Sequence, residues 1–178
     1  PSSHLEGVEH LKVEERLLLS EGNKLPEHAV LPSSLLIGGY IPDGMDLSQV
    51  EDLSLGRITE IGKDVHLPEQ VTIKSYGHIP DGADLSDVRK FKIEQDTLTP
   101  DFGKDIKLGE QIKVSGYVGM DFSQVERLKI TDISVTTDKT RFPKEVVVAG
   151  KIREDADFSQ VEHLIIEGAV SLPPSVKV

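Results

Sequence analysis

Four near-copies of one phrase punctuate the chain at almost even intervals. Asp46-Leu47-Ser48-Gln49-Val50, Asp84-Leu85-Ser86-Asp87-Val88, Asp121-Phe122-Ser123-Gln124-Val125 and Asp157-Phe158-Ser159-Gln160-Val161 begin 38, 37 and 36 residues apart. A fainter copy, Leu5-Glu6-Gly7-Val8, opens the chain. A fixed period of this size marks stacked structural units, none of which can bury its apolar face without a neighbour. It sets approximate units at 4–45, 46–83, 84–120, 121–156 and 157–178 of a single array.

Each period divides into two similar halves. The first half reads Leu47-x-x-Val50-x-x-Leu53-x-Leu55 and recurs from Leu85 to Ile93, Phe122 to Ile130 and Phe158 to Ile166, with Leu5-x-x-Val8-x-x-Leu11-x-Val13 as its opening copy. The second half starts with Leu-Pro or a variant: Leu67-Pro68-x-x-Val71-x-Ile73, Leu108-Gly109-x-x-Ile112-x-Val114 and Phe142-Pro143-x-x-Val146-x-Val148. Weaker members begin at Leu31-Pro32 and Leu172-Pro173. The apolar-x-apolar ending is a short period-two strand, and β-branched residues suit it. Clusters such as Ile41-Pro42-Asp43-Gly44 and Ile79-Pro80-Asp81-Gly82 read as turns. Residues 9–20 also carry helical spacing, but the repeat alignment makes Leu11 and Val13 strand positions.

One short strand per roughly 18–20 residues is what a coil of a solenoid requires. The expected fold is therefore mainly β: a repeat β-solenoid with strands stacked in parallel. Val50, Val88, Val125 and Val161 would point into one continuous aliphatic core. The alternative is a string of small antiparallel β modules, each with its own interior.

Composition agrees with thin aliphatic layers: hydrophobic residues make up 37% of the chain, aromatics 4%, and there is no Trp. The net charge of −11 disfavours nucleic acid and anionic membranes as partners, since both demand an electropositive face. No apolar run approaches the ~20 residues of a membrane-spanning helix. The absence of Cys excludes disulfides, thiol catalysis and cysteine-bound zinc, yet fixes no compartment. The chain opens at Pro1 and closes partway through a unit, which reads as a fragment of a longer protein.

The motif Leu-x-x-Val-x-x-Leu-x-Ile resembles a leucine-rich repeat. The Leu-Pro opening of the second half is similar to the short repeats of secreted bacterial effectors. The likeness covers almost the whole chain and implies a target-recognition array delivered by a bacterium into a host cell. Two features depart from it. Leucine-rich repeats carry an Asn or Cys ladder from coil to coil, whereas this chain has only Asn23 and no Cys. Its two halves also alternate in character.

Repetition itself argues against catalysis, because an active site needs one special set of residues and a lattice supplies many equal ones. Asp46, Asp84, Asp121 and Asp157, with Asp43 and Asp81 nearby, would form a carboxylate row if stacked directly, yet the copies lack the acidic ligands a calcium loop gathers. They read instead as turn aspartates capping the N–H groups of the following Ser and Val. The six histidines share no metal-ligand spacing. Gly62-Lys63-Asp64 and Gly103-Lys104-Asp105 lack the remainder of a phosphate-binding loop and read as repeat-related turns. The chain is expected to be no enzyme and to hold no cofactor or metal.

A protein partner is the remaining expectation. The residue between two inward strand positions faces outward, giving the row Lys12, Leu36, Ser54, Thr72, Lys92, Lys113, Lys129, Val147, Ile165 and Lys177. Lys92, Lys113, Lys129, Val147, Ile165 and Lys177 are the candidate docking residues, with Val147 and Ile165 as an exposed apolar spot rimmed by lysines. A spacer or surface-adhesin segment without a specific ligand is the competing reading.

Overall fold

The structure, a computed structural model, describes residues 11–19, 29–94, 100–136, 140–152 and 157–171. Where apolar and polar residues alternate, the chain extends. The strands are β1 (Arg16–Leu19), β2 (Ser34–Ile41), β3 (Asp52–Ile61), β4 (Gln70–Ile79), β5 (Asp84–Leu85), β6 (Lys90–Ile93), β7 (Asp101–Phe102), β8 (Lys107–Leu108), β9 (Gln111–Val118), β10 (Arg127–Thr136), β11 (Glu145–Lys151) and β12 (His163–Ser171). The main sheet runs β1-β2-β3-β4-β6-β9-β10-β11-β12, with β7 also beside β4, and β5 pairs β8 separately. Every pairing is parallel.

Parallel neighbours that follow one another in sequence require the chain to circle back to its starting side between strands. No helix makes that return among the described residues, so turns and short strands close each coil. This is a parallel β-solenoid, and the antiparallel-module alternative is excluded. One coil takes from 16 residues (Ile112 to Leu128) to 23 (Phe91 to Val114).

The buried side chains form one cluster from Val13 to Phe158, including Val50, Val88 and Val125, with Val161 packed against it. Neighbouring coils contribute matched pairs such as Leu35 and Ile37, Leu53 and Leu55, Val71 and Ile73. Beyond the inner pair the strand bends. At Gly39 and Gly116, φ is 79° and 90°, and an added Cβ would strike the carbonyl oxygen of Leu19 or Ile93 in the coil before. Only glycine satisfies both the left-handed backbone and the close approach.

The two halves differ along the strand, where Leu35–Ile41 pairs with the longer Leu53–Ile61, and at one corner. Asp46 bridges His66 and Leu53 pairs with Val71, so six residues (47–52) on one coil match four (67–70) on the next. The extra residues form the Ser-x-Val turn, which brings Val50 into the core; the Leu-Pro half cuts the corner short and buries Pro68. Alternating turn and proline account for the long period being twice the coil.

Two strand expectations need correction. Leu11 and Val13 are expected as the first strand's inward pair, but that pair lies six residues further on, at Leu17 and Leu19 of β1, with Leu17 opposite Ile37. Lys12 instead makes a lone bridge to Val30, the counterpart of the Asp46–His66 bridge. Val13 still points into the core. At the other end, Ile166 occupies an inward position yet is 47% exposed, because β12 is an edge strand among the described residues. Leu5, Val8, Leu172 and Lys177 lie outside the described residues.

Candidate binding face

The repeated aspartates are turn formers. Oδ1 of Asp46, Asp84, Asp121 and Asp157 accepts the N–H of Ser48, Ser86, Ser123 and Ser159 at 2.9, 3.1, 2.9 and 3.0 Å. The Val N–H, expected to share that cap, donates to a main-chain carbonyl instead, as from Val50 to Leu47 at 3.0 Å. The Ser48 hydroxyl and N–H hold the Asp46 carboxyl below its ordinary value. Burial pushes Asp84 up, but the Ser86 hydroxyl and N–H together with Lys107 outweigh it, leaving the group lowered.

These aspartates do not stack on one another. Asp46 lies beside His66, Asp84 beside Lys107 and Asp121 beside Arg141. Because the halves alternate, each of these three aspartate coils is followed by one carrying a basic side chain or histidine at the same place. The Lys107 Nζ reaches the Asp84 carboxylate at 3.3 Å. Among the described residues no group of three or more His, Asp or Glu is placed to hold a metal ion.

Asp43 and Asp81 have a different task. Each carboxylate accepts a backbone N–H from the next coil, Lys63 at 2.8 Å and Lys104 at 2.7 Å. At these two corners carboxylates do what an Asn ladder would do elsewhere. Gly62-Lys63-Asp64 is stacked on Pro42-Asp43-Gly44, and its first two N–H groups are committed: Gly62 to Ile41 at 2.8 Å, Lys63 to Asp43. No donors of the kind a phosphate cradle uses remain at Gly62 and Lys63.

The outward face departs from its expected register at two places: Arg16 rather than Lys12 faces Leu36, and a second step falls between β6 and β9. Ser54, Thr72 and Lys92 are aligned as anticipated, but Lys92 then faces Ser115, and Lys113 faces Lys90. Beyond this step the row is Lys90–Lys113–Lys129–Val147–Ile165. The two-residue shift keeps the inward alternation intact, passing it from Phe91 to Val114.

Val147 corrects the sequence reading. It was expected to be exposed, and it is only 1% exposed although it lies outside the core cluster. On the outward face Lys129 of β10 pairs with Glu167 of β12, which carries the Lys129 stem across β11 between Val147 and Ala149. Ile165 is 39% exposed, as expected of this row. Arg127 pairs with Glu145 at 3.0 Å. The Lys129 ammonium holds Glu167 below the ordinary glutamate value, with a smaller contribution from Arg127.

A shallow groove of about 290 Å³ results, with Val147 at its floor and Arg89, Lys90, Lys113, Arg127 and Lys129 along it. Among the described residues no carboxylate pairs with Arg89, Lys90, Lys92 or Lys113. Arg89, Lys90 and Arg127 were not singled out from sequence. The alternation Lys90-Phe91-Lys92 signals that Lys90 faces outward; the register step that brings it to Lys113 has no such signal. A second exposed apolar group went unread as well: Leu18 is 70% and Tyr76 43% exposed, with the Tyr76 ring over Gly56.

The class these features define is a parallel β-solenoid of alternating half-repeats with a basic outward groove on an acidic chain. Comparison with family models, with curated proteins and with solved structures finds no match.

Proposed function

We propose that the array is a non-enzymatic protein-interaction domain that docks a partner on its outward sheet face. One observation carries this reading: cations with no carboxylate partner among the described residues crowd into neighbouring strands of a chain with 31 acidic and 20 basic residues. Like charges directly opposite on a sheet are unfavourable, so a face arranged this way gains from a complementary surface laid over it. The exposed Ile165 at the end of the same row adds an apolar contact. Extended repeat surfaces are commonly used to bind proteins. The finer reading, target recognition within a secreted bacterial effector, rests on the Leu-Pro half-repeat alone.

The test is a paired capture experiment. Lys90→Glu/Ile165→Glu should lose a partner that the unaltered chain retains, with no fall in melting temperature, while Lys104→Glu on the corner turn keeps it. Equal capture by all three proteins would overturn docking on this face, and capture by none would favour the spacer reading.

A further inference from the structure

We propose that the groove takes an acidic, extended peptide segment of a partner protein, running across the strands with carboxylates on Lys90 and Lys113 and an apolar side chain on Ile165. This rests on the docking reading above and specifies the chemistry of what docks.

The row Lys90–Lys113–Lys129 crosses three adjacent strands, about 4.8 Å apart. Lys129 and Arg127 already have Glu167 and Glu145 as partners. The unsatisfied charge is therefore concentrated on β6 and β9, at Arg89, Lys90, Lys92 and Lys113. Same-face side chains of an extended peptide recur every ~6.7 Å, a mismatch that flexible lysine stems absorb. Moving along the row, charge gives way to Val147 and then to exposed Ile165. A ligand matching that order is acidic at one end and apolar at the other.

A polyanion fits less well. Nucleic acid carries a charge every ~1.7 Å of duplex and must neutralise many at once. Here the cation cluster is small, Glu145 and Glu167 stand at its edge, and the whole chain carries −11. A segment with a few carboxylates and apolar residues between them suffers less repulsion from the remainder of the surface.

The experiment uses a fluorescein-labelled dodecapeptide whose first half is Glu alternating with Ser and whose second half is Leu alternating with Ser, measured by anisotropy, with heparin and a single-stranded oligonucleotide as competitors. The unaltered chain should bind the peptide, with affinity falling at least tenfold between 50 and 300 mM NaCl, values chosen to span strong screening changes (roughly 14 to 6 Å Debye length). Lys113→Glu should weaken binding at least tenfold and, by standing between Lys90 and Lys129, should raise the melting temperature of the free protein. Lys113→Gln should weaken binding less, and Lys104→Glu should leave it unchanged. The proposal is overturned if the peptide does not bind, if Lys113→Glu binds equally, or if heparin or the oligonucleotide displaces it with higher affinity. Loss of a captured partner in Lys90→Glu/Ile165→Glu alongside no peptide binding would overturn the acidic ligand alone and leave docking intact.

Discussion

The Asp43 carboxylate accepts the backbone N–H of Lys63 at 2.8 Å, joining two residues that are 20 apart in sequence and adjacent in the stack. Asp81 and Lys104 repeat the contact at 2.7 Å one period later. Each side chain thereby ties its own turn to the turn stacked beside it.

Asp43→Ala should cost about 1–2 kcal/mol, the net worth of a charge-assisted hydrogen bond plus the N–H it orphans. Asp43→Asn keeps an oxygen acceptor and should cost less than half of that. Because the Asp43 and Asp81 contacts share no partner, the double substitution to Ala should be additive within about 0.5 kcal/mol. Urea denaturation at neutral pH measures all three.

Two glycines of the same corner should respond in different degrees. A Cβ at Gly62 would lie 2.5 Å from the Asp43 nitrogen, so Gly62→Ala forces the stacked turns apart. Gly44 has open space beyond its Cα but a φ of 68°, so Gly44→Ala carries only the left-handed penalty, about 1–2 kcal/mol. The larger loss of urea midpoint belongs to Gly62→Ala.

Acid sensitivity should involve the turn aspartates, alongside the exposed Glu167. Asp46 and Asp84 both titrate below the ordinary aspartate value of 3.8 in the folded chain. A lowered folded pKa gives stability that is complete above the unfolded value and is lost as pH falls through the folded one. Melting temperature should thus stay level down to about pH 5 and decline below about pH 4. In Ser86→Ala the burial of Asp84 is opposed by one hydrogen bond fewer, the 2.6 Å bond from the Ser86 hydroxyl. Its carboxyl carbon, followed by NMR, should then titrate at higher pH.

Val147 and Ile165 are direct neighbours with opposite exposure, and substitution separates them. Val147→Glu buries a carboxylate under the Lys129 stem and should destabilise the chain by about 2–4 kcal/mol. Ile165→Glu, at a 39% exposed edge position, should change stability by less than about 1 kcal/mol. Thermal melts of the two variants distinguish them.

The inward row was legible because burial imposes alternation: Leu53 and Leu55, Val71 and Ile73, Leu128 and Ile130 follow from spacing alone. What escaped depends on relations between coils. The Phe91-to-Val114 coil has 23 residues, and its length moves Lys113 from Lys92 to Lys90 without leaving a mark on either strand. At the first coil, Leu11-x-Val13 and Leu17-x-Leu19 offer the same pattern, and only pairing with Ile37 decides between them. Exposure of Val147 depended on an ion pair reaching across a whole strand, which periodicity cannot encode. The turn role of the aspartates was legible from their repetition, but their neighbours were not: copies 38 residues apart are two coils apart, so His66 stands between Asp46 and Asp84.

The central claim is that all coils share one stack, and spin-label distances test it directly because the chain has no native Cys. Ser54 and Thr131 lie in one outward row four strands apart, and Ser54 and Glu167 six. At ~4.8 Å per strand the backbone separations are about 19 and 29 Å. Electron–electron resonance on Ser54→Cys/Thr131→Cys and Ser54→Cys/Glu167→Cys should give two narrow distributions whose centres differ by about 10 Å, two strand spacings. Broad distributions, or a difference far from that step, would contradict a continuous solenoid.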